Sequence, residues 1–300
     1  MLNLLILFLV VLVIILGKDA FTKSKYEAIE TYFVNNYYST EHLENAIRNE
    51  LQEKVDEKES SLEFIEANFD NYVINLIIDD INRYESDKIA HYNRYLRKED
   101  AEEILEELTA YESVIVDTEE GICYIKIPDF RDKKTYSELK EYKDIFGEHR
   151  KYIVDLRNNM GGSTRELVRV LSLFYPKGST VYTEIRDCEI KKIKTSDEPI
   201  IDFDKLIFLC NEQTASASEV LMYNLKSDFP DKVEFVGSKT KGKNFSYSYR
   251  EFPDGELFMF VSGQMGNSQG VTFEGDGINP DYLAEGEKAL EKAKQLLNQP

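Results

Sequence analysis

Asn211-Glu212-Gln213-Thr214-Ala215-Ser216-Ala217-Ser218-Glu219 is the stretch on which the reading of this chain turns. An apolar run over residues 205–210, Lys-Leu-Ile-Phe-Leu-Cys, leads into it, and a helical run over residues 220–225 leads out. Small residues therefore sit where a strand ends and a helix begins. The spacing leaves a serine hydroxyl uncrowded at the positive end of a helix, where backbone N–H groups can stabilise an oxyanion. An N-cap serine is the commoner occupant of such a position, so the stretch needs support from the rest of the chain.

That support begins upstream. Residues 152–156, Tyr-Ile-Val-Asp-Leu, read as a short buried strand. They run into Arg157-Asn158-Asn159-Met160-Gly161-Gly162-Ser163 and then a helix carrying Leu167, Val168, Val170, Leu171 and Leu173. The Ser216 unit repeats this plan, and a third strand over residues 232–237 follows its helix. Further upstream, residues 113–116 and 122–127 flank Asp117-Thr118-Glu119-Glu120-Gly121 as a hairpin, with a helix over roughly 135–146 behind it. Strands alternating with helices predict an α/β fold with a mostly parallel sheet and crossover helices. After it, residues 245–252 and 256–261 form a hairpin about Pro253-Asp254-Gly255, and a helix over about 285–297 closes the chain.

In such a sheet, reactive groups collect where strands end and helices begin. Three turns qualify. Gly161-Gly162 exposes backbone N–H groups, the Ser216 turn offers a hydroxyl and the Ala217 N–H, and Ser238-Lys239-Thr240-Lys241-Gly242-Lys243 offers amines. Singly, each has a plain structural reading: a tight connection, a helix cap, a surface lysine. No phosphate-binding glycine spacing is present. Together they supply a nucleophile, oxyanion donors and a base, provided burial lowers the pKa of Lys243 from its free value of about 10.4. That set suits acyl transfer, most naturally peptide-bond hydrolysis.

Composition bounds the alternatives. The chain has 300 residues, 42% of them hydrophobic and 12% aromatic, the profile of a folded protein. Its formal net charge of −19 argues against nucleic acid and anionic membrane surfaces as partners. Cys123, Cys188 and Cys210 form no C-x-x-C pair and read as free thiols. His42, His91 and His149 lie in polar helical contexts with no zinc-ligand spacing, so no cofactor or metal is expected.

Residues 2–16 are apolar apart from Asn3, with no small-residue cleavage site after them, and predict an uncleaved membrane anchor ahead of a cleaved signal. Lys18, Lys23 and Lys25 follow the segment, and this weak asymmetry points the rest of the chain toward the cytoplasm. Residues 21–108 read as helical, with Thr40 as an N-cap, a Ser60/Glu63 capping box, and a stripe of Leu62, Ile65, Phe69, Tyr72, Val73, Leu76 and Ile77. No chemistry is visible there.

The ordered motifs resemble those of the carboxy-terminal processing peptidases, or tail-specific proteases. They read Ile153-Val154-Asp155-Leu156-Arg157-Asn158-Asn159-Met160-Gly161-Gly162, Thr214-Ala215-Ser216-Ala217-Ser218-Glu219, Thr240-Lys241-Gly242-Lys243 and Gly275-Asp276-Gly277-Ile278-Asn279-Pro280-Asp281. Tyr92-Asn93-Arg94-Tyr95-Leu96 also resembles the family's segment ahead of the catalytic core. The resemblance implies a crotonase-like core and a Ser-Lys dyad with Ser216, not Ser218, as nucleophile and Lys243 as base. It implies an oxyanion hole from the Ala217 N–H and a glycine N–H of the Gly161/Gly162 pair, and in some members a lysine-orienting role at the position of Glu219. It further implies polypeptide substrates and a peptidase domain on the extracytoplasmic side, against the charge asymmetry.

The chain departs from the family pattern in having Met160 before the glycines, Tyr247 four residues past the lysine, and too few residues between Leu96 and Ser113 for a PDZ domain. The expected organisation is a hydrophobic segment at 1–17, an α-helical domain at 18–111 and an α/β peptidase domain at 112–300. The alternative is a non-proteolytic ligand- or peptide-binding protein on the same fold.

Overall fold

The computed structural model describes residues 94–109, 112–130, 134–186, 189–251, 255–273, 275 and 277–299. The apolar segment at 1–17, the helical stripe, His42, His91, Cys188 and the Tyr92-Asn93 part of the upstream motif lie outside the described residues. Among those described, no helix is long and apolar enough to cross a membrane.

In chain order the elements are β1 (Arg94–Leu96), α1 (Lys98–Thr109), β2 (Ile115–Glu119), β3 (Ile122–Lys126), α2 (Thr135–Glu141), α3 (Lys143–Glu148) and β4 (Lys151–Asp155). There follow α4 (Thr164–Leu171), β5 (Thr180–Arg186), β6 (Glu189–Lys194), β7 (Lys205–Cys210), α5 (Ala217–Asp228) and β8 (Val233–Gly237). The chain ends with β9 (Phe245–Glu251), β10 (Leu257–Gly266), β11 (Tyr282–Leu283) and α6 (Glu287–Leu297).

The coordinates divide into two compact units. The larger contains a six-stranded sheet in the order β11-β8-β7-β4-β3-β2. Five of its strands run parallel and β2 is antiparallel to β3, with Val154 opposite Phe208 and Phe208 opposite Phe235. The mostly parallel α/β architecture expected from the alternating pattern is therefore present.

Side chains alternate across each strand, and both faces of this sheet are covered. Leu206, Phe208 and Cys210 of β7 join Tyr136, Leu139, Leu167, Leu171, Val220 and Leu221 of the helices on one face. Ile207 and Leu209 face the other way, toward Ala289, Ala293 and Leu297 of α6. Burial on both faces is why β7 reads as a continuous apolar run and not an alternating one.

The smaller unit contains residues 94–103, the outer part of β9 and the first part of β10. There β1 pairs antiparallel with β10, Tyr95 opposite Phe258, and the Phe258 and Phe260 rings lie 5.2 Å apart.

Several boundaries differ from the sequence reading. Strand β2 continues through Glu119, because Glu120 and Gly121 (φ 50° and 77°) make a two-residue turn whose twist suits a hairpin. The single helix expected over 135–146 is two, broken at Tyr142. Strands β5 and β6 were not anticipated. In the larger unit β5 pairs with β10, Met265 opposite Glu184, and β6 pairs with β5. The lysine-rich Glu-Ile-Lys-Lys-Ile-Lys of β6 is almost wholly exposed, so burial imposes no readable pattern on it.

Candidate active site

Ser216 and Ser163 are an internal comparison, since each precedes the helix of a strand–turn–helix unit. Ser163 is an ordinary N-cap, with extended backbone (φ −65°, ψ 123°) and a side chain accepting from the Glu166 N–H at 3.4 Å. Ser216 occupies the same position before α5 with φ 58° and ψ −115°, and pairs with Glu219 as a capping box, the Glu219 carboxylate accepting from the Ser216 N–H. A non-glycine residue held at positive φ costs of the order of 1–3 kcal/mol and persists only where its surroundings enforce it. Ser218 has a structural role: fully buried, it donates to the Asn159 carbonyl at 3.2 Å.

The Gly-Gly turn is packed directly against this serine. A Cβ on Gly161 (φ 96°) would lie 2.6 Å from Ser216 Cβ and 2.9 Å from the Ala217 nitrogen. Only glycine fits there. The Gly161 N–H is taken by Asn159 Oδ1 at 2.8 Å, while its carbonyl accepts from the Phe130 N–H at 2.9 Å. The Gly162 and Ala217 N–H groups have no hydrogen-bond partner among the described residues.

Glu219, in the first turn of α5 and fully buried, joins the serine turn to the lysine loop. Its Oε2 accepts from the Ser216 N–H and the Lys243 N–H, each at 2.8 Å. Its Oε1 accepts from the Thr240 hydroxyl at 2.5 Å and the Gly242 N–H at 2.7 Å. Lys243, half-buried between β8 and β9, is thus seated through its main chain by the carboxylate that also seats Ser216. The Thr240 hydroxyl accepts in turn from the Ile278 N–H at 2.7 Å, and the Lys241 N–H donates to the Thr214 carbonyl at 3.0 Å. A Cβ on Gly277 would lie 2.1 Å from the Thr240 carbonyl oxygen, so Gly277 buttresses the lysine loop by close backbone contact.

The structure therefore brings Ser216, Ala217, Glu219, Gly161, Gly162 and the Lys243 backbone into one network. Sequence reasoning missed the buried polar residues that stitch the turns together. Asn159 donates to the Ile127 carbonyl at 2.8 Å, and its own carbonyl accepts from the Ala215 N–H at 3.0 Å. Thr214 donates to the Leu156 carbonyl at 2.8 Å. A small polar residue two places before the glycine pair or two places before Ser216 was their only signal, and it does not name a partner.

Cys210, at the end of β7, is a buried free thiol raised to about 12 by desolvation, with the Glu219 charge adding to the effect. His149 sits away from the network, with Nδ1 2.7 Å from the Ile145 carbonyl. Among the described residues, no group of three His, Cys, Asp or Glu is placed to hold a metal ion.

A strained serine turn packed against a glycine pair, with a lysine loop tied to the serine turn by one carboxylate, lies at the strand-to-helix turns of an α/β protein with a mostly parallel sheet. Its motifs narrow that class further: the model of peptidase family S41 matches residues 121–284, and the chain belongs to that family.

A Staphylococcus aureus protein named "Probable CtpA-like serine protease" is 38% identical over 146 residues, covering 48% of this chain and 28% of the relative. The Staphylococcus epidermidis protein of the same name is 37% identical over 134 residues, covering 44% and 27%. The matched stretch thus spans little more than a quarter of the curated relatives' length. Among solved structures, the photosystem II D1 C-terminal processing protease superposes with a TM-score of 0.52 at 20% identity, covering 64% of this chain and 54% of that one. A lipoprotein from Streptococcus agalactiae gives 0.62 at 17% identity, covering 93% and 96%. At these identities the two structures speak to the fold alone.

Proposed function

We propose that the chain is a serine endopeptidase that hydrolyses polypeptides through a Ser-Lys dyad. The backbone of Ser216 carries the reading: a serine held at φ 58°, beside Gly162 and Ala217 N–H groups that have no partner among the described residues, suits attack on a carbonyl, a geometry that helix capping alone does not require. In this mechanism Ser216 Oγ attacks the peptide carbonyl carbon while its proton passes to the neutral amine of Lys243. The oxyanion is held by the Gly162 and Ala217 N–H groups. The C–N bond then breaks, and the leaving amine takes the proton back from Lys243. Water, deprotonated by the same amine, cleaves the acyl-enzyme ester and restores Ser216. Glu219 is a positioning residue: it sets the Ser216 and Lys243 backbones and touches no reacting atom.

We read residues 1–17 as a membrane anchor, with the peptidase domain on the extracytoplasmic side, by analogy with the family. Accessibility of the intact chain to external protease in sealed cells tests this, and protection would reverse the orientation.

For the activity, the expected outcome is that Ser216→Ala and Lys243→Ala each lose at least a thousandfold in cleavage of casein while keeping the wild-type melting curve. A fluorophosphonate should label Ser216 in the wild type alone. Undiminished cleavage by either variant would sink the dyad. A folded wild type that neither cleaves nor labels would favour a binding protein on this fold.

A further inference from the structure

A cavity of about 440 Å³ opens on the larger unit, and neither Ser216, Lys243 nor the glycine pair lines it. It lies at the carboxyl ends of β3, β4, β7 and β8, beside the start of α6, where ligands of parallel sheets commonly bind. Its size falls toward the lower end of the roughly 300–1,000 Å³ range of small-molecule sites.

The charges in its wall are of two kinds. Some are already used. Asp155 is buried and accepts from Arg157 Nε at 2.8 Å and Tyr124 Oη at 2.7 Å, while Arg157 Nη1 donates to the Gly286 carbonyl at 2.6 Å. Glu212 accepts from the Ser238 hydroxyl at 2.8 Å. Others are not used: Lys126 and Glu285 line the same cavity, and their side chains take part in no hydrogen bond or ion pair among the described residues, with each other included. Two opposite charges that face one volume without neutralising each other complement a guest that carries both signs. The Glu212 carboxylate adds negative charge on the anionic side, and the N-terminal end of α6 adds partial positive charge.

We propose that this cavity is a second binding site, one that takes the zwitterionic backbone of a free amino acid or very short peptide. The ligand's carboxylate would be set toward Lys126 and its ammonium toward Glu285 and Glu212. The proposal does not depend on the peptidase reading.

Its test is a calorimetric titration of glycylglycine into the full chain carrying Ser216→Ala, so that no hydrolysis contributes. N-acetyl-glycylglycine amide serves as the uncharged control. Binding at millimolar concentration is expected, with at least a tenfold loss on capping both ends and a similar loss in Lys126→Ala and in Glu285→Gln. Neither substituted side chain makes a bond among the described residues, so unchanged melting curves are the check on folding. Absence of binding, equal binding of the capped peptide, or unchanged affinity in both variants would each overturn the proposal; the last would place the peptide elsewhere, the Ser216 cleft included.

Discussion

Replacing Glu219 by glutamine tests the central network, because it keeps shape and removes one acceptor. The carboxylate accepts four hydrogen bonds, two on each oxygen. A glutamine amide has one acceptor oxygen and one NH₂ donor. With its nitrogen in the Oε2 position it would confront the Ser216 and Lys243 N–H groups, losing both bonds. With its nitrogen in the Oε1 position it would confront only the Gly242 N–H, since the Thr240 hydroxyl can turn to accept. The second orientation is therefore favoured, and the Gly242 N–H and the Thr240 O–H lose their acceptor.

A hydrogen bond to a charged group contributes about 1.5–3 kcal/mol, and the remaining bonds weaken as the charge goes. Relief of carboxylate desolvation offsets part of this, leaving a net loss of about 2–4 kcal/mol. For a unit of this size that corresponds to a fall in melting temperature of roughly 5–15 °C. The assay is thermal unfolding followed by circular dichroism, with casein cleavage measured in parallel. Thr240→Val combined with Glu219→Gln should be less damaging than the two single losses added together. A Glu219→Gln protein melting within a degree or two of wild type would refute the claim that this carboxylate holds the turns together.

Other perturbations probe separate features. Gly161→Ala puts a methyl 2.6 Å from Ser216 Cβ at a backbone φ of 96°; a loss of about 2–3 kcal/mol is expected in urea titration, together with loss of fluorophosphonate labelling. Asn244 is fully buried, and neither polar atom of its side chain has a partner among the described residues. Asn244→Leu should therefore be neutral or stabilising by about 1–2 kcal/mol, and a clear destabilisation would show that the amide is bonded in solution. Burial raises the thiols of Cys123 and Cys210 from 9.0 to about 12. Between these values the unfolded chain gives up thiol protons that the folded chain keeps, so this contribution to stability is complete below pH 9 and declines as the pH rises toward 12. Denaturation midpoints should fall across that window, and disulfide reagents at pH 8 should reach the two thiols only on unfolding.

The parts of the fold legible in the sequence are those where burial writes a pattern. Residues 152–156 and 205–210 are apolar without interruption because the sheet is covered on both faces, and the order of strands and helices followed from them. The hairpin at 115–126 was marked by its glycine. Strand β6 was illegible because its exposed lysines bury nothing, and the break at Tyr142 because neither side of it changes composition. At the candidate site, Ser216, the glycine pair and Lys243 stood out through residue type and position. The unusual backbone angle of Ser216 was invisible, since the same Thr-Ala-Ser-Ala-Ser-Glu string also satisfies the rules for an ordinary capped helix. Glu219 was expected to act on a lysine; the hydrogen bonds it makes go instead to main-chain N–H groups and one hydroxyl, partners that sequence spacing does not reveal.

That last feature bears on how such a molecule can change over evolutionary time. The bonds that seat Ser216 and Lys243 run through their peptide nitrogens, which every amino acid except proline possesses. The reactive tips are thus separable from the frame that carries them. A lineage could exchange the serine for a cysteine or an alanine and keep the main-chain bond that holds its turn.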